Sequence, residues 1–465
     1  MFIGRQRELK RLNELYESGK FECAVVYGRR RVGKTTLINE FIKGKKAIYF
    51  TALESTSQEN LESFSRCIMH MGMGIESDVV FSHYQAALDA LYDAAKTERV
   101  VMVIDEYPYL ADAYRGFSSL LQAQIDSKYK DSQLMLILCG SSMSFMENQV
   151  LGYQSPLYGR RTAQFKIEPF TFFEARGFHS RFAMHDAAVI YGVTGGVPLY
   201  LELMDDRLSV EENIKRNFFD PNAFLFEEPT NLLKQEVRDP ANYNAIIRAV
   251  ATGATRNAEI ASKVGLETSA VANYLSSLIA LGIVRKETPI TETAQRKTIY
   301  TIADSMFRFW YRFIQGNAAL AQSGMADRLW QIVEPQIPVF MGSVFEDICK
   351  QWLWRENAAG RLPVSFVKLG RWWGNDPVRK QEAEIDILAL DDGDAALFAE
   401  CKWTNDKVDE SVLQTLIRRS ELFTYGECAY YLFSKSGFTR GCEAMANREG
   451  VRLVAFPSFL EYEGG

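Results

Sequence analysis

The sequence predicts an α/β protein built from several domains, and three observations carry that reading. An apolar strand runs into a glycine-rich loop and then a helix in "AVVYGRRRVGKTTLINEF", Ala24 to Phe41. Three short helical patterns followed by a hairpin pattern occupy residues 243–302. A second apolar hairpin, "AEIDILALDDGDAALFAECKW", carries charged residues inside its strands. A chain of 465 residues is too long for one ordinary core, so two to four domains are expected.

Composition narrows the class. Hydrophobic residues make up 47% and charged residues 24%, as in soluble globular proteins. The longest apolar runs, such as "VVMVI" and "LMLILC", are far too short to span a bilayer. The start "MFIGRQRELK" lacks the apolar core of a signal peptide. Seven scattered cysteines form no CxxC pair, so neither a zinc ribbon nor a disulfide framework is indicated. A cytoplasmic setting without membrane attachment is expected. A net charge of −6 argues against a chain coated in nucleic acid, while leaving room for local basic patches.

The first element is a phosphate-binding loop, Gly28-Arg29-Arg30-Arg31-Val32-Gly33-Lys34-Thr35-Thr36. Its glycines let backbone amides wrap phosphates, and the following helix N-terminus adds partial positive charge. Lys34 is expected to reach the β and γ phosphates of ATP, and the Thr35 hydroxyl to ligate Mg²⁺. A partner strand, Val100 to Ile104, ends in Asp105-Glu106. A continuous apolar run suits a strand buried on both faces. Asp105 is expected to hold Mg²⁺ through water, and Glu106 to polarise the attacking water. A third strand, "LMLILCGSS", ends in Ser141 and Ser142. These are placed either to sense the γ-phosphate or to cap a helix.

The segments "FIGRQRELKRLNELY", "VIDEYPYL", "LILCGSS", "PLYGRRTAQFKIEPF" and "GGVPLYL" accompany the loop in a fixed order. Residues 1–235 thereby resemble the archaeal-type prokaryotic ATPases, relatives of the AAA+ and STAND NTPases. The resemblance implies that Gly4 and Arg5 lie near an adenine pocket and Pro198 in a sensor-2 region. It also implies that Arg160 or Arg161 serves a γ-phosphate, in cis or in trans. Action in trans would require a homo-oligomer. A surface salt bridge is the other reading of those arginines.

Residues 236–305 read as a winged helix-turn-helix. "YNAIIRAVATG" closes at Gly253 and "NAEIASKVGL" ends at Gly265. "TSAVANYLSSLIALGIV" opens at a Thr268 or Ser269 cap and spaces Val271, Leu275, Leu278 and Ile279 on one face. "VRKETPITETAQRKTIYTI" forms the wing. Arg248, Arg256, Lys263, Arg285, Lys286, Arg296 and Lys297 face four glutamates, Glu259, Glu267, Glu287 and Glu292, a modest basic excess suited to DNA or RNA phosphates. The third helix exposes Asn273, Tyr274, Ser276 and Ser277 but no Arg or Lys, which gives little support for base readout. A structural lid on the ATPase is the competing role. Residues 306–334 form an aromatic helical linker, in which "ADSMFRFWYRFI" suits a buried docking helix better than a nucleobase platform.

From residue 335 to 465 the order is helix, three strands, helix, strand, helix, strand. That order matches the PD-(D/E)XK nuclease core, and the stretch resembles a C-terminal domain of unknown function that often trails these ATPases. Glu400 and Lys402, two apart in a strand, share a face. A two-residue Asp392-Gly393 loop would put Asp386 on the opposite face, whereas a three-residue loop, Asp391-Asp392-Gly393 with Gly393 left-handed, would bring it to that face. Two such carboxylates repel unless a cation sits between them, and Mg²⁺ or Mn²⁺ suits oxygen ligands. Lys402 would orient or activate water, with Glu346 completing the acidic site from the preceding helix. All four histidines precede residue 190, which excludes His-based nuclease chemistry here.

The fold class is thus α/β, with a P-loop NTPase (AAA+-like) domain, a winged helix-turn-helix and a C-terminal α/β restriction-endonuclease-like domain. Expected is an ATP-binding, ATP-hydrolysing protein acting on nucleic acid, with a candidate metal-dependent nuclease domain. The alternative is a STAND-like switch that binds DNA or protein and whose nuclease-like domain is inert.

Overall fold

A computed structural model describes residues 2–72, 80–291 and 297–463. By compactness the chain divides into Met1–Phe170 with Val197–Leu199, and Thr171–Gly196 with Tyr200–Gly465.

The first unit is a five-stranded sheet. Its strands are β1 (Glu22–Tyr27), β2 (Ala47–Thr51), β3 (Val100–Asp105), β4 (Leu134–Gly140) and β5 (Ala163–Lys166). They run in the order β2-β3-β4-β1-β5, and every neighbouring pair is parallel. Alternation divides their side chains between two apolar layers. Val25, Tyr27, Met102 and Ile104 pack on one face; Ala24, Val26, Val101 and Val103 pack on the other. Coverage on both faces explains the uninterrupted apolar runs of β3 and β4, every residue of which is buried. Each fully buried Val or Ile contributes about 1.5–3 kcal/mol. The parallel arrangement brings the C-terminal ends of β1, β3 and β4 to one edge, where ligands of open α/β sheets bind.

In the second unit, helix Met184–Thr194 packs on helix Ile337–Ala358. The fit is close: a Cβ added to Gly192 would stand 3.0 Å from Met341 Sδ. The helical segment Thr171–Gly196 lies in this second unit.

Helices Pro240–Ala251, Asn257–Val264 and Thr268–Ala280 precede an antiparallel wing of β6 (Val284–Glu287) and β7 (Ile299–Ile302). Two details of the third helix differ from expectation. Its N-cap position is Glu267, which makes no side-chain cap. Ile279 is 37% exposed while Val271, Leu275 and Leu278 are buried. At about 100° per residue, Ile279 lies about 80° round from Val271, on the edge of the apolar stripe. Arg296 and Glu292 lie outside the described residues. Helix Ser305–Phe313 buries Met306, Phe307, Phe309, Trp310, Tyr311 and Phe313. Asp304 Oδ1 caps it by accepting from the Met306 and Phe307 N–H groups. Trp310 Nε1 donates to the Phe226 carbonyl at 2.6 Å. These aromatics are core, not a stacking platform.

The C-terminal sheet contains β8 (Lys368–Asp376), β9 (Gln381–Leu390), β10 (Ala395–Lys402), β11 (Glu427–Ser434) and β12 (Arg452–Ala455), in the order β12-β11-β10-β9-β8. β8, β9 and β10 pair antiparallel, and β10, β11 and β12 pair parallel. The β9–β10 loop is shifted by one residue from expectation. Asp391 pairs with Ala395 (N–H to O, 3.3 Å), leaving Asp392-Gly393-Asp394 as the loop. Gly393 stays out of the left-handed region. Asp391 Oδ1 accepts from the Ala395 N–H at 3.0 Å, so a side chain closes the turn and no left-handed residue is needed. Among the described residues no helix is long and apolar enough to cross a membrane.

Candidate nucleotide site and candidate acidic site

The loop after β1 is built on three left-handed or extended positions, with φ of 159° at Gly28, 72° at Arg31 and 88° at Gly33. Only glycine fits at Gly28, because a Cβ there would lie 2.2 Å from the Ile167 carbonyl oxygen. Lys34 and Thr35 begin the helix Lys34–Ile42. Lys34 Nζ donates to the carbonyls of Gly28 at 2.8 Å and Arg29 at 2.9 Å. Arg30 donates to the Tyr109 hydroxyl at 3.0 Å.

The strand order places β4 between β1 and β3. Across that edge, the Thr35 hydroxyl donates to Asp105 Oδ2 at 3.3 Å. The Tyr49 hydroxyl donates to the same oxygen at 2.6 Å. Asp105 Oδ1 accepts from the Glu106 N–H at 2.9 Å. Glu106 adopts a left-handed backbone, φ 50°, and its carboxylate accepts from the Ser141 hydroxyl. Ser142 stands at the N-cap of a short helix without making a side-chain cap. The donor set fits a nucleotide and a hard cation. Glycines admit close backbone approach, Lys34 supplies charge, and Thr35 and Asp105 present facing oxygens.

Arg5 donates to the Val32 carbonyl at 3.2 Å and stacks over Phe170 at 4.4 Å, while Gly4 abuts the same ring. Arg160 pairs with Asp126 at 2.8 Å. Arg161 donates to the Leu151 carbonyl at 3.2 Å. Neither arginine is brought to the loop by these contacts.

In the C-terminal domain, the β9–β10 register pairs Ala399 with Ile387. One step further along that register sets Asp386 opposite Glu400, on one face. Asp386 Oδ2 accepts from the Cys401 N–H at 2.9 Å. Lys402 Nζ lies 2.7 Å from Glu400 Oε1, and an Arg419 guanidinium nitrogen lies 3.5 Å from Glu400 Oε2. Glu346 enters from helix Ile337–Ala358 and faces Arg371 at 3.7 Å. Burial, then repulsion from Asp386, pushes the Glu346 carboxyl up to about 7. Burial raises Asp386, and burial and Asp386 raise Glu400. Burial opposes the charge on Lys402, but Glu400 and Asp386 outweigh it and hold its ammonium above the usual range.

Burial is uneven across the face: Glu400 is only 6% exposed, while the Lys402 side chain is 31% exposed. Among the described residues no group of three or more His, Cys, Asp or Glu side chains is arranged to hold a metal. A pair of carboxylates remains, and buried Glu400 Oε2 accepts no hydrogen bond. Two oxygen donors with an open lone pair suit a hard cation that keeps waters in its shell.

Tyr49, Arg371 and Arg419 were missed in the sequence. Arg371 stands in "GRWW", residues 370–373, where the β8–β9 register slips between Gly370 and Trp372. Such bulges re-aim side chains. From it Arg371 pairs with Glu384, Glu346 and, at 3.8 Å, wing residue Glu287. Its carbonyl accepts from the Ile290 N–H at 3.0 Å, and Arg285 pairs with Asp347 at 3.2 Å. The wing is thus docked on β8.

A phosphate loop after β1, an acidic pair at the end of β3 and an intervening β4 define the fold of a P-loop ATPase. Residues 2–204 match an ATPase domain predominantly from Archaea. Residues 244–288 match an IclR helix-turn-helix domain, and 310–413 a family of archaeal and bacterial proteins of unknown function. The chain is 34% identical over 426 residues to an uncharacterised protein of Methanocaldococcus jannaschii, covering 91% of this chain and 92% of that one. The chain belongs to this family of archaeal-type ATPases with a helix-turn-helix and a C-terminal α/β domain. An uncharacterised ATP-binding protein of the same organism is 46% identical over 46 residues, 10% of this chain and 78% of that one. Among solved structures, a Walker-type ATPase of Pyrococcus abyssi shares the fold at TM-score 0.52 and 19% identity, over 67% of this chain and 96% of that one.

Proposed function

We propose that the chain couples ATP turnover to action on nucleic acid, and that its C-terminal domain is a metal-dependent phosphodiesterase. The observation carrying the second part is the common face of Asp386, Glu400 and Lys402, with Glu346 adjoining. Asp386 and Glu400 would hold Mg²⁺ or Mn²⁺; such a cation, when bound, stabilises phosphoryl charge and supplies hydroxide near neutral pH. Lys402 orients the water and offsets charge on the phosphate. In the first unit Lys34 and the loop amides would hold the ATP phosphates, Thr35 and Asp105 the cation, and Glu106 the water. Arg248, Arg256 and Lys286, exposed on the winged module, are the candidate phosphate contacts.

The test is incubation of the full chain with DNA and RNA, with and without ATP and Mn²⁺. Asp386→Ala should remove cation binding and cutting. Lys402→Ala should keep cation binding and lower cutting. An uncut substrate under every condition overturns the phosphodiesterase reading.

One observation favours a switch with an inert C-terminal domain. Lys402 and Arg419 already meet both oxygens of Glu400. On that reading nucleotide state changes affinity for DNA or for a protein, and no strand is cut.

A further inference from the structure

Asp105 is held from three sides. Its Oδ1 takes the Glu106 backbone N–H at 2.9 Å. Its Oδ2 takes both the Thr35 hydroxyl at 3.3 Å and the Tyr49 hydroxyl at 2.6 Å. Tyr49 belongs to none of the nucleotide-site motifs. It comes from β2, whose register sets Tyr49 beside Val103 and Thr51 beside Asp105. The long side chain therefore reaches two residues along the neighbouring strand to meet the carboxylate.

We propose that Tyr49 is a positioning residue of the ATP site: its hydroxyl fixes the rotamer of Asp105 and turns Oδ2 toward Thr35, so that the pair is set in advance for a hydrated divalent cation. The bond is more than the ordinary satisfaction of a buried phenol. The ring is only partly buried, so water was available to it. Instead it donates to the one carboxylate oxygen that also meets Thr35, at the short distance of a charge-assisted bond. A carboxylate oxygen has room for further partners, so the phenol and a metal-bound water can share it. Without the phenol, Oδ2 would keep the longer and weaker Thr35 contact, with only the weakly donating Cys139 thiol as a further side-chain partner of the carboxylate, and the ordering of Asp105 would fall largely to the cation. That ordering cost falls on metal affinity.

The experiment is a Mn²⁺ titration of the full chain followed by electron paramagnetic resonance, with a non-hydrolysable ATP analogue present. Binding of a fluorescent ADP without metal is measured alongside. Tyr49→Phe keeps the ring and removes the donor. Half-saturation by Mn²⁺ should rise about fivefold to tenfold, the scale of one ordinary net hydrogen bond, with metal-free ADP binding unchanged. In an Asp105→Asn background the same substitution should add nothing. If Tyr49→Phe lowers stability, the double variant still decides, because a packing defect persists without Asp105 and a positioning effect does not. Unchanged or tighter Mn²⁺ binding in Tyr49→Phe, or an undiminished effect in the Asp105→Asn background, overturns the proposal.

Discussion

The Ser141 hydroxyl stands 2.8 Å from each carboxylate oxygen of Glu106. A residue at the tip of β4 thus restrains the side chain that follows β3. Glu106→Gln should retain nucleotide binding and stop hydrolysis, since the carboxylate is needed only to polarise water. Ser141→Ala should lower kcat by about tenfold, the equivalent of one hydrogen bond in the barrier, with KM little changed. Steady-state ATPase kinetics separate the two effects.

Lys34→Ala should abolish tight nucleotide binding, because the β and γ phosphate charge loses its partner. Thermal unfolding with and without ADP provides the measurement, and the ligand-induced shift should vanish. Hydrolysis by this variant at the parental rate would end the P-loop reading.

Arg160 bonds Asp126 at the surface. Exposed pairs of this kind contribute about 0–1 kcal/mol, so Asp126→Asn should barely change the unfolding midpoint. If Arg160 or Arg161 serves a second copy, specific ATPase activity should rise with protein concentration. Mixing an Arg160→Ala, Arg161→Ala chain with a Lys34→Ala chain should then restore activity. No rescue in a demonstrated mixed oligomer leaves action in cis or a structural role.

Stability should depend on pH through Glu346. Its carboxyl is raised from 4.5 to about 7 by burial and by Asp386. Between those values the folded state binds more protons than the unfolded one. Stability therefore falls as pH rises through that window and levels off above it. Asp386 and Glu400 shift in the same direction, so Glu346→Gln should shallow the slope without removing it. Chemical denaturation from pH 4 to 8 measures the slope, and a metal-binding site predicts that Mn²⁺ flattens it.

What the sequence made legible follows from how local each signal is. The P-loop, the acidic pair after β3 and the winged helix are written in contiguous residues, and their elements fall close to where periodicity and glycines put them. The face shared by Asp386 and Glu400 follows from strand parity only when the loop has three residues rather than two, and it survives the one-residue shift because the observed loop also has three. The contacts of Tyr49 and Arg371 were not legible. Tyr49 meets Asp105 only through the pairing of β2 with β3. Arg371 is aimed by a bulge, and no pattern of alternation announces one. Ile279 was misplaced because it lies at the margin of its stripe, where periodicity alone does not decide burial.

Val197–Leu199 return to the first unit for only three residues. Pro198 approaches within 3.6 Å of the place a Cβ would take on Gly33. On the ribosome, where synthesis runs from the N-terminus, Gly33 emerges long before Pro198 does. The five strands can pair before then, but the wall beside Gly33 must wait for later residues. The nucleotide site is therefore the last part of its own unit to be finished during synthesis. A fragment ending at residue 170 would contain every strand of the sheet and every residue of the loop, yet fold around a P-loop that has lost its proline neighbour.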